Sequence, residues 1–406
     1  MLTDAELGRH LHLTQAAQWL YSANGTPFVT GDGDPYASLL RGFDDDPTPL
    51  YPRLRERGPL WRSRLGSWVT ADHGRVAELI GHRDLDVCDV EGRPDPQELP
   101  RQVLPRERTC LDVSRQELDR LADMAAPVLG ARAAEERRSF LGEAWERATG
   151  AAGDEFDLVA LAERVPAEVL GEFLALPESR RARLAECCAA ASIAVDALLC
   201  PQRPAETRLL LSAMEELGTL VTGSDSGLRS LRPPDAQVVA GLHAIVGVRA
   251  AADVVTKTML ALLQDAEAMT ALSDDPDRAA RAVEETLRFD PPAHLQALIA
   301  QRDVELAGQR VSAGSRVVLA VGAADRDPAV FTDPHRFALD RSGEEGPPVP
   351  LGPHHALVAP LVKAQAEAAV RVITGRFPRL RLSGPVLRRR RAPVTRALLR
   401  MPVRTN

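Results

Sequence analysis

The stretch Glu285-Thr286-Leu287-Arg288-Phe289-Asp290-Pro291-Pro292 decides the reading of this chain, together with two followers. These are Ala323-Ala324-Asp325-Arg326-Asp327-Pro328 and Asp333-Pro334-His335-Arg336-Phe337. Glu285 and Arg288 stand one turn apart on a predicted helix, Pro276–Phe289, that Pro291-Pro292 stops because proline carries no N–H and restricts the residue before it. Alone the pair says little, since an acid and an arginine at this spacing form a common surface couple worth a few tenths of a kcal/mol. Short strands are predicted between the motifs, at Val304–Leu306, Gln309–Val311 and Arg316–Leu319, with Gly308 and Gly314 at the turns.

Working outward, a last long helix is predicted over Ala359–Phe377, followed by a tail, Leu380–Arg404, that alternates like edge strands. Upstream, Asp235–Asp265 reads as a helix apolar on most sides, hence a core helix, with Asp235 placed to cap its start. From Gln116 to Gly223 the pattern is helical and broken by prolines. Residues 72–80 read as helix, Leu60–Arg64 and Ser67–Thr70 as a hairpin turning at Leu65-Gly66, and Leu50–Arg57 as a short helix. A loop is expected from Gly25 to Pro35, after a helix over residues 4–21. No repeat or long linker appears. The expected fold class is mainly α with a minor β part, divided into an N-terminal helix-and-loop extension, 1–46, and one main domain, 47–406.

The chain has 406 residues, 45% of them hydrophobic, enough for a substantial core. Its net charge of −7 argues against nucleic acid as the main partner. The two lysines are Lys257 and Lys363, so nearly all positive charge is arginine. Cys88, Cys110, Cys187, Cys188 and Cys200 form no C-x-x-C and follow no signal peptide, which predicts reduced thiols and a cytoplasmic protein. No apolar run reaches the length of a membrane span, so no membrane association is expected.

The three motifs, in order and at their spacing, resemble bacterial cytochromes P450, and the likeness extends over nearly the whole chain. Leu50-Tyr51-Pro52-Arg53-Leu54-Arg55-Glu56-Arg57-Gly58-Pro59 looks like the family's first helix and strand entry. The resemblance implies a cytochrome P450 fold and a structural triad of Glu285, Arg288 and Arg336, locked by charge-assisted hydrogen bonds.

The same resemblance exposes what is missing. The thiolate that holds haem iron in the family aligns with Ala356, in Leu351-Gly352-Pro353-His354-His355-Ala356-Leu357-Val358. Gly352 and His354 match the family loop, while Val349, Pro350 and Val358 depart from it. The oxygen-activation motif aligns with Val246-Gly247-Val248-Arg249-Ala250, where arginine replaces the acid and alanine the hydroxyl, and neither relays a proton at neutral pH. The propionate pair aligns with Arg115 and Asp119, and a further propionate arginine with Leu298. A P450 fold without haem is therefore expected, with no cofactor. A haem-sized void of roughly 500 Å³ would cost on the order of 12 kcal/mol, so the pocket should be collapsed, filled or otherwise occupied. No metal site is expected. His354 belongs to the inherited pattern, His355 should point elsewhere, and His10 and His12 lie on different helix faces.

Other enzyme signatures, G-x-S-x-G, Walker A and H-E-x-x-H, are absent, and Gly31-x-Gly33 reads as loop. Arg249 and Asp253 read as a compensating ion pair, and Arg388–Arg391 as a solvated strand or turn.

The opening, Leu2–Leu11 with Trp19-Leu20-Tyr21 and Asp34–Gly42, is similar to P450-like auxiliary proteins that activate glycosyltransferases in actinomycete antibiotic biosynthesis. This likeness implies a non-catalytic helper that binds and stabilises a nucleotide-deoxysugar transferase acting on macrolide or anthracycline aglycones, in a hetero-oligomer. Trp19, Tyr21 and Tyr36 are the candidate contacts, aromatics being enriched at interface hot spots. Alternatives are a haem-free binder of the polyketide aglycone and a P450-fold enzyme with non-haem chemistry.

Overall fold

The computed structural model describes residues 4–22, 33–42, 46–90, 110–221, 227–341 and 345–405. A central helix, Pro233–Gln264, runs through a helical body. It is the one described helix long and apolar enough to cross a membrane, and its most apolar window is 94% buried inside the fold. It packs against the helix Leu158–Phe173, the helix Ala279–Phe289 and the last helix, Pro353–Arg376. Its α-helical ladder is interrupted by a π turn at His243–Gly247.

Asp235 does not cap this helix. Arg232 occupies the cap position, and Asp235 lies in the first turn. There it accepts from Arg120 at 2.8 Å and Arg232 at 3.1 Å, two cations that compete successfully for the carboxylate. The last helix also begins earlier than expected. Pro353 opens it after Gly352, and Pro360, read from sequence as near its start, lies inside. Proline is well tolerated in the first turn, so Pro353 is the better start signal.

The minor β part has a five-stranded sheet in the order Trp61–Arg62, Trp68–Thr70, Arg316–Leu319, Gln296–Ala300, Leu85–Asp86. The first two strands form the expected hairpin, with Gly66 at φ 96°, a left-handed conformation that glycine adopts without strain. Trp68–Thr70 then pairs in parallel with Arg316–Leu319, register Trp68 to Val317. This non-local pairing carries the segment around Glu285 back to the start of the domain. The strands Val304–Leu306 and Gln309–Val311 form a separate hairpin. In the tail, Pro402–Arg404 pairs with Arg381–Leu382 and with Glu155–Asp157, a short strand inside the region read as nearly all helical.

The extension holds two helices, Asp4–Ser22 and Pro35–Arg41. The second replaces the end of the expected loop; residues 25–32 of that loop, including Gly31, lie outside the described residues. Asp34 explains the helix. One carboxylate oxygen accepts from Tyr36 N at 2.9 Å and Ala37 N at 3.2 Å, a side-chain N-cap. The other accepts from Ser63 Oγ at 2.6 Å and Arg64 N at 2.8 Å, tying the extension to the first hairpin.

Candidate functional site

Arg288 is buried and spends all five guanidinium N–H groups. Nε and Nη2 donate to Glu285 at 2.9 and 2.7 Å, Nη1 to the carbonyls of Asp325 and Pro334 at 2.9 and 3.1 Å, and Nη2 also to Arg336 O at 3.1 Å. The expected third side chain is corrected. Arg336 is exposed and enters the lock only through its carbonyl oxygen. Arg341 supplies the second guanidinium, at 3.3 Å from Glu285, and it also bonds Glu345 at 2.8 Å and Arg336 O at 3.0 Å. The physical reason is a turn at Asp333, whose φ of 46° is left-handed, closed by Arg336 N donating to Asp333 O at 2.9 Å. That turn aims the Arg336 carbonyl inward and its side chain out.

The positions aligned with haem chemistry are dispersed. Ala356 lies in the first turn of the last helix and is exposed, so a thiol there would face away from the core. Val358 is buried, and a methyl group built on Gly247 would meet its Cβ at 3.4 Å. The central and last helices are therefore in side-chain contact at this level. Around the contact Leu170, His243, Gly247, Val358, Leu361 and Gln365 pack with no room for a water molecule between them. Asp119 is exposed and does not enter the interior. Arg115 donates instead to the carbonyl of Ile80, and Leu298 is a core residue of the sheet. These residues do not fit a haem: no ligand atom points inward at position 356, and the Gly247–Val358 contact leaves no slot for the ring.

Arg249 and Ala250 are buried. Arg249 bonds Asp253 at 2.6 Å and Glu163 at 2.6 Å, and Glu163 is reached from the tail by Arg389 at 2.9 Å. The expected ion pair is thus part of a row of four alternating charges, Asp253, Arg249, Glu163 and Arg389. It joins the central helix, the helix Leu158–Phe173 and the C-terminal tail. Arg389 also shows that the arginine run is not simply solvated.

A second buried network had no clear signal in the sequence. Lys257 Nζ donates to Asp290 at 3.0 Å and to the carbonyls of Pro291 and Thr395 at 2.8 and 2.7 Å. Asp290 also accepts from His294 at 2.7 Å and Arg388 at 3.1 Å. Burial acts to raise the Asp290 carboxyl, but Lys257 and Arg388 outweigh it and hold the group well below the usual range. Burial pushes His294 down to about 3, and His243 and His355 to about 4, so all three are neutral at pH 7. Among the described residues no three His, Cys, Asp or Glu side chains converge as metal ligands. Of the interface candidates, Trp19 is exposed and Tyr21 half-buried, but Tyr36 is a core residue packed behind the Asp34 cap. It cannot touch a partner, and that expectation is corrected.

Residues 279–347, which hold the Glu285 helix, two strands of the five-stranded sheet and the Arg341 lock, match the family model for cytochrome P450. The whole chain is similar to the protein EryCII of Saccharopolyspora erythraea, described as a cytochrome P450 family protein, at 32% identity over 98% of each chain. The chain belongs to the cytochrome P450 family. It is more similar to the protein AknT of Streptomyces galilaeus, at 39% identity over 100% of this chain and 97% of AknT. DesVIII of Streptomyces venezuelae is 40% identical over 99% of this chain and 94% of its own. Among solved structures, epothilone D-bound cytochrome P450epoK superposes with a TM-score of 0.78 at 22% identity, covering 93% of this chain and 100% of that one. This last likeness concerns the fold alone.

Proposed function

We propose that this P450-family chain is a non-catalytic helper that binds and activates a nucleotide-deoxysugar glycosyltransferase of macrolide or anthracycline antibiotic biosynthesis. The observation that carries the reading is the match to AknT and DesVIII, which takes in essentially the entire chain and so includes the N-terminal extension. The outward Ala356 and the closed Gly247–Val358 contact support it, because they leave the position of the family's iron without a thiolate or a slot for the ring. On this reading the helper works without haem by stabilising the active transferase. A partner that binds only the competent state shifts the population toward it by mass action.

The test is to mix the purified chain with a nucleotide-deoxysugar glycosyltransferase of macrolide or anthracycline biosynthesis, and to follow co-elution and sugar transfer. The expected result is a stoichiometric complex, a rise in transfer rate that saturates with helper concentration, and no Soret band after haem supplementation. Turnover of aglycone by the chain alone would replace the helper with an enzyme. Tight aglycone binding with no effect on the transferase would replace it with a binder.

A further inference from the structure

We infer that the outward face of the N-terminal helix, Asp4–Ser22, is a docking surface for an acidic amphipathic helix of the transferase; this rests on the helper reading above. The inward face is anchored. Leu11, Ala17 and Gln18 are buried, and Gln18 Nε2 donates to Leu199 O at 3.0 Å. The outward face does not have the composition of a solvent face. Leu13 is 53% exposed, Trp19 46% and Leu20 42%, which is three of the seven exposed large hydrophobics among the described residues. A surface helix ordinarily turns polar residues outward, and clustered exposed apolar side chains mark interaction sites.

The spacing specifies the shape of the partner. Arg9, Leu13, Ala16 and Leu20 follow at intervals of four, three and four, the seam on which a second helix seats its knobs. Small Ala16 at the middle lets the partner approach between the two leucines. Trp19 flanks the seam and is steadied by the Arg41 guanidinium, 4.1 Å from its ring centroid. A ring held in this way is a rigid anchor that loses little freedom on binding.

The charge specifies the partner's chemistry. From Arg9 to Leu20 the outward positions carry Arg9, His12, Leu13, Ala16, Trp19 and Leu20, none of them acidic, and Arg41 adds a second cation at the rim. Arg9 and Arg41 thus frame an apolar strip on a chain of net charge −7. It therefore favours a helix whose apolar stripe is flanked by Asp and Glu, with complementarity steering encounter and orientation. Two copies of the strip facing each other would set cation against cation, which disfavours a second copy of this chain as occupant.

The experiment measures affinity for the transferase with full-length wild type, Leu13→Glu/Leu20→Glu, Trp19→Ala and Arg9→Glu, alongside each variant's thermal unfolding. Because the substituted side chains are exposed, unfolding temperatures should match wild type. The double variant should bind at least about 100-fold more weakly, and Trp19→Ala on the order of thirtyfold more weakly, as for interface hot spots. Arg9→Glu should slow association and flatten its salt dependence. Wild-type binding with the double variant within threefold of it would overturn the docking face and leave the helper reading standing. No binding by wild type would overturn both. Self-association of wild type lost in the double variant would assign the face to a second copy, and binding to anionic lipid vesicles in place of the transferase would assign it to a membrane; each of these overturns the proposal.

Discussion

Val358 seals the central helix to the last helix by packing on Gly247, with 3.4 Å between its Cβ and the position a Gly247 methyl would take. A cofactor plane needs these two helices held apart. Val358→Gly would remove the buried side chain and place a glycine inside a helix. The expected loss is about 3 kcal/mol, from the void and the helix propensity together. Urea denaturation would measure it, and an unchanged midpoint would show that the contact is dispensable.

A thiol introduced at position 356 should not bring haem binding. Ala356 is exposed at the first turn of its helix, so Ala356→Cys is expected to give no Soret band when expressed with excess haem precursor. The new thiol should instead react quickly with a water-soluble thiol reagent in the folded protein. A stoichiometric Soret band would mean that the two helices part readily.

Arg249 holds Asp253, a carboxylate with no exposed surface. Arg249→Met leaves that charge buried without its partner and should cost about 3–5 kcal/mol. Adding Asp253→Leu should recover much of the loss, because replacing both members of a buried pair by apolar groups is often near neutral. Denaturant midpoints of the two singles and the double form the cycle. Additive losses would contradict a direct coupling.

Arg341, not Arg336, completes the lock on Glu285. Arg341→Ala removes hydrogen bonds to Glu285, Glu345 and the Arg336 carbonyl, and should cost about 1.5–3 kcal/mol. Arg336→Ala, which removes only an exposed side chain, should stay within about 0.5 kcal/mol of wild type. Equal effects in thermal unfolding would return Arg336 to the triad.

Asp325 carries a pH signature. Its Oδ1 accepts from Val349 N at 2.8 Å, but burial pushes the carboxyl up to about 8 against that bond and the Arg288 charge. The unfolded chain releases this proton near pH 4. Between about pH 4 and 8 the folded state therefore holds a proton that the unfolded state has lost, and stability falls as pH rises through that window. Asp325→Asn keeps the acceptor without the titration. Its unfolding temperature should gain on wild type as pH rises toward about 8, then hold a constant lead above that. A pH-independent difference would mean that Asp325 is already ionised in the fold.

The helices and hairpins of this chain were legible because their signals are local. Pro291-Pro292 stops one helix, Gly66 turns a hairpin, and apolar runs mark the central helix. The identity of the third triad member was not legible, since Arg336 and Arg341 lie five residues apart and only the turn at Asp333 decides which one faces inward. Lys257 was equally hidden. Its partners come from two distant segments, Asp290-Pro291 and Thr395 in the tail, which meet Lys257 only in the fold. The second helix of the extension could have been found from Asp34-Pro35, a cap residue followed by a proline suited to the first turn. Tyr36 was misassigned because aromatic content alone does not separate an interface from a core.

The π turn at His243–Gly247 amounts to one extra residue threaded into the central helix. Each residue turns an α-helix by about 100°, so excising it would swing everything on one side of the insertion out of phase with the other. The faces that seat Val239 and Leu242 on one side, and Arg249 and Asp253 on the other, share a single compatible length. An exchange of one side chain on this helix, even one as costly as Arg249→Met, acts locally; a change in its count of residues acts on every contact beyond it. Substitution along this helix is thus a local matter, whereas its length is held in common by every contact it makes.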